Sequence, residues 1–295
     1  MKRGLITWDK FELPPAVCER RLAAVRAELA RHDLPALVVY TDVWRSNQGR
    51  YLTNFMPYWN RALIVIPQDG EPILLCGLSP RVYPWIKSVT ILKDIRPNLN
   101  TKKLAEERGW KGQLGVLDLE LLPWDFTMNA SNVSWKSIHP ESDDAELNMY
   151  RKAAKMAREA LSGISVDRPD HEIVGDLERK LRHAGAEDLV ILVTDGSTVP
   201  LPPKGAMLSA SASISIALEY RGHWAKVVTP LQPQTFAGTT SKTELLSGPY
   251  PYEPCQQSKL ATGSIFAAVS EASVNGKRLF SGETYIQTAA GPELL

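Results

Sequence analysis

Glu271 and Glu283 flank the dipeptide Asn275-Gly276 near the end of the chain, and paired carboxylates on one wall can bind a metal ion or move a proton. Asn-Gly between β-forming runs is the signal of a tight two-residue hairpin turn. Simple pairing across that turn sets Glu271 opposite Phe280 and sends Glu283 to the other face. A bulge at Gly282 would shift the register and bring Glu283 round beside Glu271.

Other residues with chemical potential are scattered. Histidines occur at 32, 139, 171, 183 and 223, with no His-x-x-x-His pair among them. His223, in Gly222-His223-Trp224 at the end of a polar-faced strand, is the one that could serve as a base. Trp44, Trp59 and Trp85 fall in or near loops, where aromatics can wall a pocket. There is no Walker-type phosphate loop, no dinucleotide-binding glycine fingerprint and no internal repeat.

The chain has 295 residues, 44% hydrophobic and 23% charged, with a net charge of +1. That length suits two domains, and the charge is spread without the basic stripe that a nucleic-acid partner requires. Cys18, Cys76 and Cys255 are far apart and lack metal-ligand or redox spacing, which fits a reducing, cytoplasmic setting. The N-terminus lacks the apolar run of a secretion signal, and no stretch is long enough to span a membrane, so no membrane partner is expected.

Elements that could position these residues read in two blocks. Pro14 and Pro15 open a helix with Cys18, Leu22, Val25 and Leu29 at helical spacing. Strands follow at 37–40, 62–66 and 73–75, then a helix at 102–108 and a strand at 114–119, an α/β domain ending near Pro140. From residue 141 the order changes. Ser142 caps a long helix and Asp170 a second, after which strands at 189–193 and 208–220 lead through a polar stretch, 232–258, read as loop or partly ordered, to the closing hairpin. The run from Leu208 to Tyr220 alternates Ser with Ile and Ala, predicting one buried and one polar face.

Several segments resemble the creatinase, prolidase and aminopeptidase P family of the pita-bread fold. In the first block these are Arg21-Leu22, Tyr51-Leu52-Thr53-Asn54-Phe55 and Asp69-Gly70-Glu71-Pro72. Glu141-Ser142-Asp143-Asp144-Ala145-Glu146 is similar to the opening of the family's catalytic domain. Leu260 to Phe266, Gly282-Glu283-Thr284 and Gly291 to Leu295 are similar to its closing strands. The resemblance implies an N-terminal α/β domain over residues 1–140 and a shortened α+β pita-bread domain over 141–295.

It also implies a site, and there the chain departs from the family. Two aspartates, a histidine and two glutamates hold two metal ions in the metallopeptidases, and the metals activate water. Matching Glu219 to Trp224 with the family's strand puts Ser215 and Lys226 at the aspartate positions. A serine hydroxyl is a poor ligand and a lysine ammonium repels a cation. The strand that should carry the histidine corresponds to 247–254, which has none, and 232–246 is too short and polar to supply the two helices expected there. Glu271 and Glu283 remain, with Lys226 as a candidate to neutralise both.

The expectation is therefore a protein without metal or other cofactor. It is a non-catalytic homologue, a homodimer or the partner subunit of a full-length paralogue, with room for a small-molecule ligand. The alternative is a metal-independent creatinase-type hydrolase of a small C–N bond, using His223 as base and Glu271 or Glu283 to hold the substrate. In that reading Trp59 or Arg61 would reach in from a neighbouring subunit. A metallopeptidase cleaving Xaa-Pro bonds is the third reading.

Overall fold

The computed structural model describes residues 7–57, 60–123, 129–165, 167–231, 240–247 and 253–295. They divide at Pro140 into two compact units.

In the first unit, helix α1 (Pro15–Arg31) starts on a proline, whose fixed φ suits the first turn, and buries Cys18, Leu22, Val25 and Leu29. Strand β1 (Ala36–Asp42), helix α2 (Asn47–Thr53), strands β2 (Arg61–Pro67) and β3 (Ile73–Cys76), and helix α3 (Tyr83–Val89) follow. Strand β4 (Asp94–Arg96), helix α4 (Thr101–Arg108), strands β5 (Leu114–Leu117) and β6 (Ala130–Val133) and helix α5 (Trp135–Ile138) complete it. The strands form one mixed sheet in the order β4-β3-β2-β1-β5-β6. Leu37, Val39, Ile64 and Leu74 pack with α1 on one face, while Val38, Leu63, Val65 and Leu75 pack with Leu104 of α4 on the other. A sheet covered on both faces explains why its strands read as unbroken apolar runs.

The second unit begins with helix α6 (Asp144–Leu161), strand β7 (Arg168–Pro169) and helix α7 (Asp170–His183). Asp143, rather than Ser142, caps α6, its carboxylate accepting from the Glu146 N–H at 2.9 Å. Asp170 is the first residue of α7, and its carboxylate instead accepts from the N–H groups of Lys204 and Gly205 at 2.9 and 2.7 Å. It thereby anchors the far end of a proline-rich loop to the helix.

Strands β8 (Asp188–Thr194), β9 (Met207–Leu208), β10 (Ser213–Tyr220) and β11 (His223–Pro230) come next. The polar stretch read as loop contains β12 (Thr240–Leu245) and β13 (Glu253–Cys255), a correction to the sequence reading. Its segments 232–239 and 248–252, where a shortened connection and a histidine-free ligand strand are expected, lie outside the described residues. The hairpin β14 (Ile265–Val274) and β15 (Lys277–Thr288) and the terminal β16 (Gly291–Leu294) close the chain.

Eight of these strands form one sheet, β13-β12-β14-β15-β11-β10-β8 with β16 also on β15, while β9 pairs with β7. Two of its hairpins turn through left-handed pairs, Arg221-Gly222 (φ 49° and 87°) and Asn275-Gly276 (φ 50° and 71°), the conformation that matches strand twist. So His223 begins β11 after a turn, where the sequence suggested that it ended the preceding strand. Helix α6 packs on β10 and β11, burying Met149, Tyr150, Ala153, Ala154, Met156 and Ala157. Every residue of β10 is buried, so its serine face is polar but not solvent-facing.

Between β11 and β15 the backbone register is a single pair, Val228 with Gly282. Side-chain hydroxyls flank it. Thr284 Oγ1 accepts from the Lys226 N–H and donates to the Lys226 carbonyl, both at 2.9 Å, and Ser213 Oγ accepts from the Phe280 N–H at 3.0 Å.

Candidate functional site

The hairpin pairs regularly from Ile265 with Ile286 to Val274 with Lys277, and no bulge interrupts it at Gly282. Glu271 therefore faces Phe280, whereas Glu283 pairs with Ala268 and points to the other side of the sheet. Gly282 is needed for a different reason. A Cβ there would stand 2.8 Å from the Ala268 carbonyl and 2.9 Å from a Val269 methyl, so the glycine permits close strand approach.

Registers align one row of residues across six strands: Lys242, Val269, Gly282, Val228, Ser215 and Leu192. Apart from the glycine, all of them line a cavity of about 170 Å³, whose far end is closed by Val199 and Pro200. Lys226 and Glu244 bound one flank, and Glu271 and Phe280 the other.

Each carboxylate of this trough is held by a cation. Lys226 Nζ donates to both oxygens of Glu244, at 2.8 and 2.7 Å. The pair bridges from β11 to β12 over three strand spacings, roughly 14 Å of backbone separation. The intervening register positions are the small residues Thr284 and Ala267, which leave both side chains room to extend. Arg278 grips Glu271 through Nε and Nη2 at 2.6 and 3.1 Å, and this bond holds the carboxyl below the ordinary range against a smaller upward push from desolvation. Lys226 thus neutralises Glu244, and neither Glu271 nor Glu283, the pair that the sequence suggested.

The other candidates lie elsewhere. Alternation along β11 turns His223 away from Lys226, and its ring packs edge-on to Tyr150 with Nε2 3.7 Å from Glu146, both on α6. Its Nδ1 lies 3.0 Å from the Arg221 carbonyl. Glu283 pairs with Arg158 of α6 at 2.9 Å, and burial raises its pKa although the guanidinium opposes that shift. Of the sequence candidates, Ser215, Lys226 and Glu271 come together, while His223 and Glu283 belong to the helix-covered side. Arg61 opens β2 of the first unit, paired in register with Asp42, and Trp59 lies outside the described residues. Lys242 and Glu244 were missed, because Thr-Ser-Lys-Thr-Glu-Leu offers polar alternation with no apolar face to betray a strand.

A pair of divalent cations does not fit this donor set. Metals need several deprotonated ligands, whereas the trough offers two carboxylates already bound to cationic side chains, beside a second lysine. Among the described residues, no group of three or more His, Cys, Asp and Glu side chains could hold a metal ion, and no helix is long and apolar enough to cross a membrane.

No protein-family model matches the sequence, and no curated protein matches it. Solved structures do. An Xaa-Pro dipeptidase from Bacillus anthracis matches with a TM-score of 0.66 and 12% identity over 94% of this chain and 97% of that one. An X-Pro aminopeptidase from Thermotoga maritima matches at 0.67 and 13%, over 94% and 96%, and a prolidase from Pyrococcus furiosus at 0.65 and 12%, over 92% and 98%. At such identities the likeness is one of fold: with α/β elements followed by a helix-backed antiparallel sheet, the chain has the pita-bread fold seen in these Xaa-Pro peptidases.

Proposed function

We propose that the chain is a non-catalytic relative of the Xaa-Pro peptidases whose trough works without metal. The observation that carries this reading is the Lys226–Glu244 pair. At a position that the sequence resemblance gives to a metal-bridging aspartate stands a lysine, and it occupies both oxygens of the nearest carboxylate. A fixed ammonium there opposes a divalent cation by Coulomb repulsion and offers no lone pair. The trough also lacks a free base among its described lining residues, since Glu271 is held by Arg278 and His223 faces α6.

Such a protein acts by binding, alone or as a subunit beside an intact paralogue. Exposed apolar side chains on and beside the β8 edge, Val190 and Val199, suit a surface that a second subunit covers. Elemental analysis of protein purified without chelators tests the first part. The expected result is no stoichiometric manganese, cobalt, zinc or iron, and no cleavage of Xaa-Pro dipeptides when these metals are added. About two equivalents of metal with peptidase turnover would overturn the reading. Gel filtration with mass measurement tests the second part: a dimer or a mixed assembly is expected, and a monomer at all concentrations sinks the subunit role.

A further inference from the structure

The charges of the trough leave one cation over. Lys226 is matched by Glu244, and Arg278 by Glu271. Lys242, at the β12 end of the row, makes no hydrogen bond or ion pair among the described residues, although its charge is felt by Glu271. Beyond it the floor is apolar in the middle, with Val269, Gly282 and Val228, then carries the Ser215 hydroxyl, and ends against Leu192 and Pro200. A ring at Phe280 walls one side. The volume, about 170 Å³, equals roughly six waters at ~30 Å³ each.

We propose that this trough binds a small monocarboxylate with an apolar body, its carboxylate on Lys242 and its body over Val269 and Val228. The inference deepens the metal-free reading by naming the ligand class. A monoanion completes the charge balance of the trough, and an apolar chain removes the valine and phenylalanine surface from water. A cationic ligand would meet carboxylates already occupied by Lys226 and Arg278, and a dianion would exceed the one lysine that remains. Specificity for acids over amines therefore rests on Lys242.

Calorimetric titration with straight-chain acids from propionate to hexanoate, with benzoate, and with hexylamine as cationic and hexanol as uncharged control tests this on the full chain. Saturable binding of the acids is expected, tightening roughly three- to fourfold per added methylene until the trough is full. Hexylamine should not bind, and hexanol should bind at least tenfold more weakly than hexanoate. Lys242→Met keeps the aliphatic stem and should weaken hexanoate at least tenfold, with Lys242→Arg restoring it. Lys242 is solvent-exposed, so both variants should fold, which circular dichroism checks. Equal binding of amine and acid, an unchanged affinity in Lys242→Met, or no saturable binding would each overturn the proposal and leave the metal-free reading standing. Hexanoate binding that appears only with added manganese would overturn both.

Discussion

Glu271 and Glu283 sit on one hairpin, yet their surroundings push their acidities in opposite directions. Arg278 holds Glu271 ionised, so its contribution to stability is present at neutral pH and is lost as pH falls through its depressed folded pKa. Burial raises Glu283, so its ionisation is more costly in the folded chain; its contribution is fully present below the ordinary glutamate range, about pH 4–5, and is lost as pH rises through the raised folded pKa. Urea unfolding from pH 7 to pH 4 should show wild type losing stability relative to Glu271→Gln, and gaining it relative to Glu283→Gln. Parallel curves would contradict the placement of the two residues. Lys226→Met should cost about 1–3 kcal/mol by leaving the half-buried Glu244 without its partner, and Lys226→Met with Glu244→Met should recover part of that loss in denaturant melts. The sequence made Lys226 visible as an oddity, but its partner was not legible. Ion pairs across three strands depend on register, and local residue patterns carry no register for a strand as polar as β12.

Among the elements, the hairpin was readable because Asn275-Gly276 supplies both left-handed turn residues, and its simple pairing is the one observed. Helices α1, α6 and α7 were readable from their apolar spacing, and β1, β2 and β3 from short apolar runs. Arg221-Gly222 was not read as a turn, since arginine is an unusual occupant of a left-handed position, and so His223 was assigned to the wrong strand. Gly282 looked like a bulge signal, and the structure uses it for close packing instead. Gly282→Ala should therefore destabilise the protein by roughly 1–3 kcal/mol, read as a lower urea midpoint, because the added methyl meets the Ala268 carbonyl and Val269 at once. A neutral substitution would mean that the strands can part at no cost.

For the molecule as a whole, the order of helices and strands suggested an α/β block followed by an α+β block, and the segments that resemble the creatinase and prolidase family suggested the fold, which the solved Xaa-Pro peptidases share at 12–13% identity. Fold alone does not fix chemistry, because a sheet can keep its topology while the residues on one face change. Addition of manganese or of chelator should leave the melting temperature unchanged, since only a ligand that binds the folded state can raise it. A rise of several degrees with manganese would argue for a metal site. The thin junction of β11 with β15, one backbone pair flanked by the Thr284 hydroxyl bridge and by the Ser213 hydroxyl that reaches β15 from β10, divides the large sheet into two hairpin assemblies. The trough lies over that junction, with Lys242 and Val269 on one side and Val228 and Ser215 on the other. Occupancy would therefore act as a rivet through a seam, slowing hydrogen exchange along the facing edges of β11 and β15 and coupling a small ligand to the mechanical unity of the whole sheet.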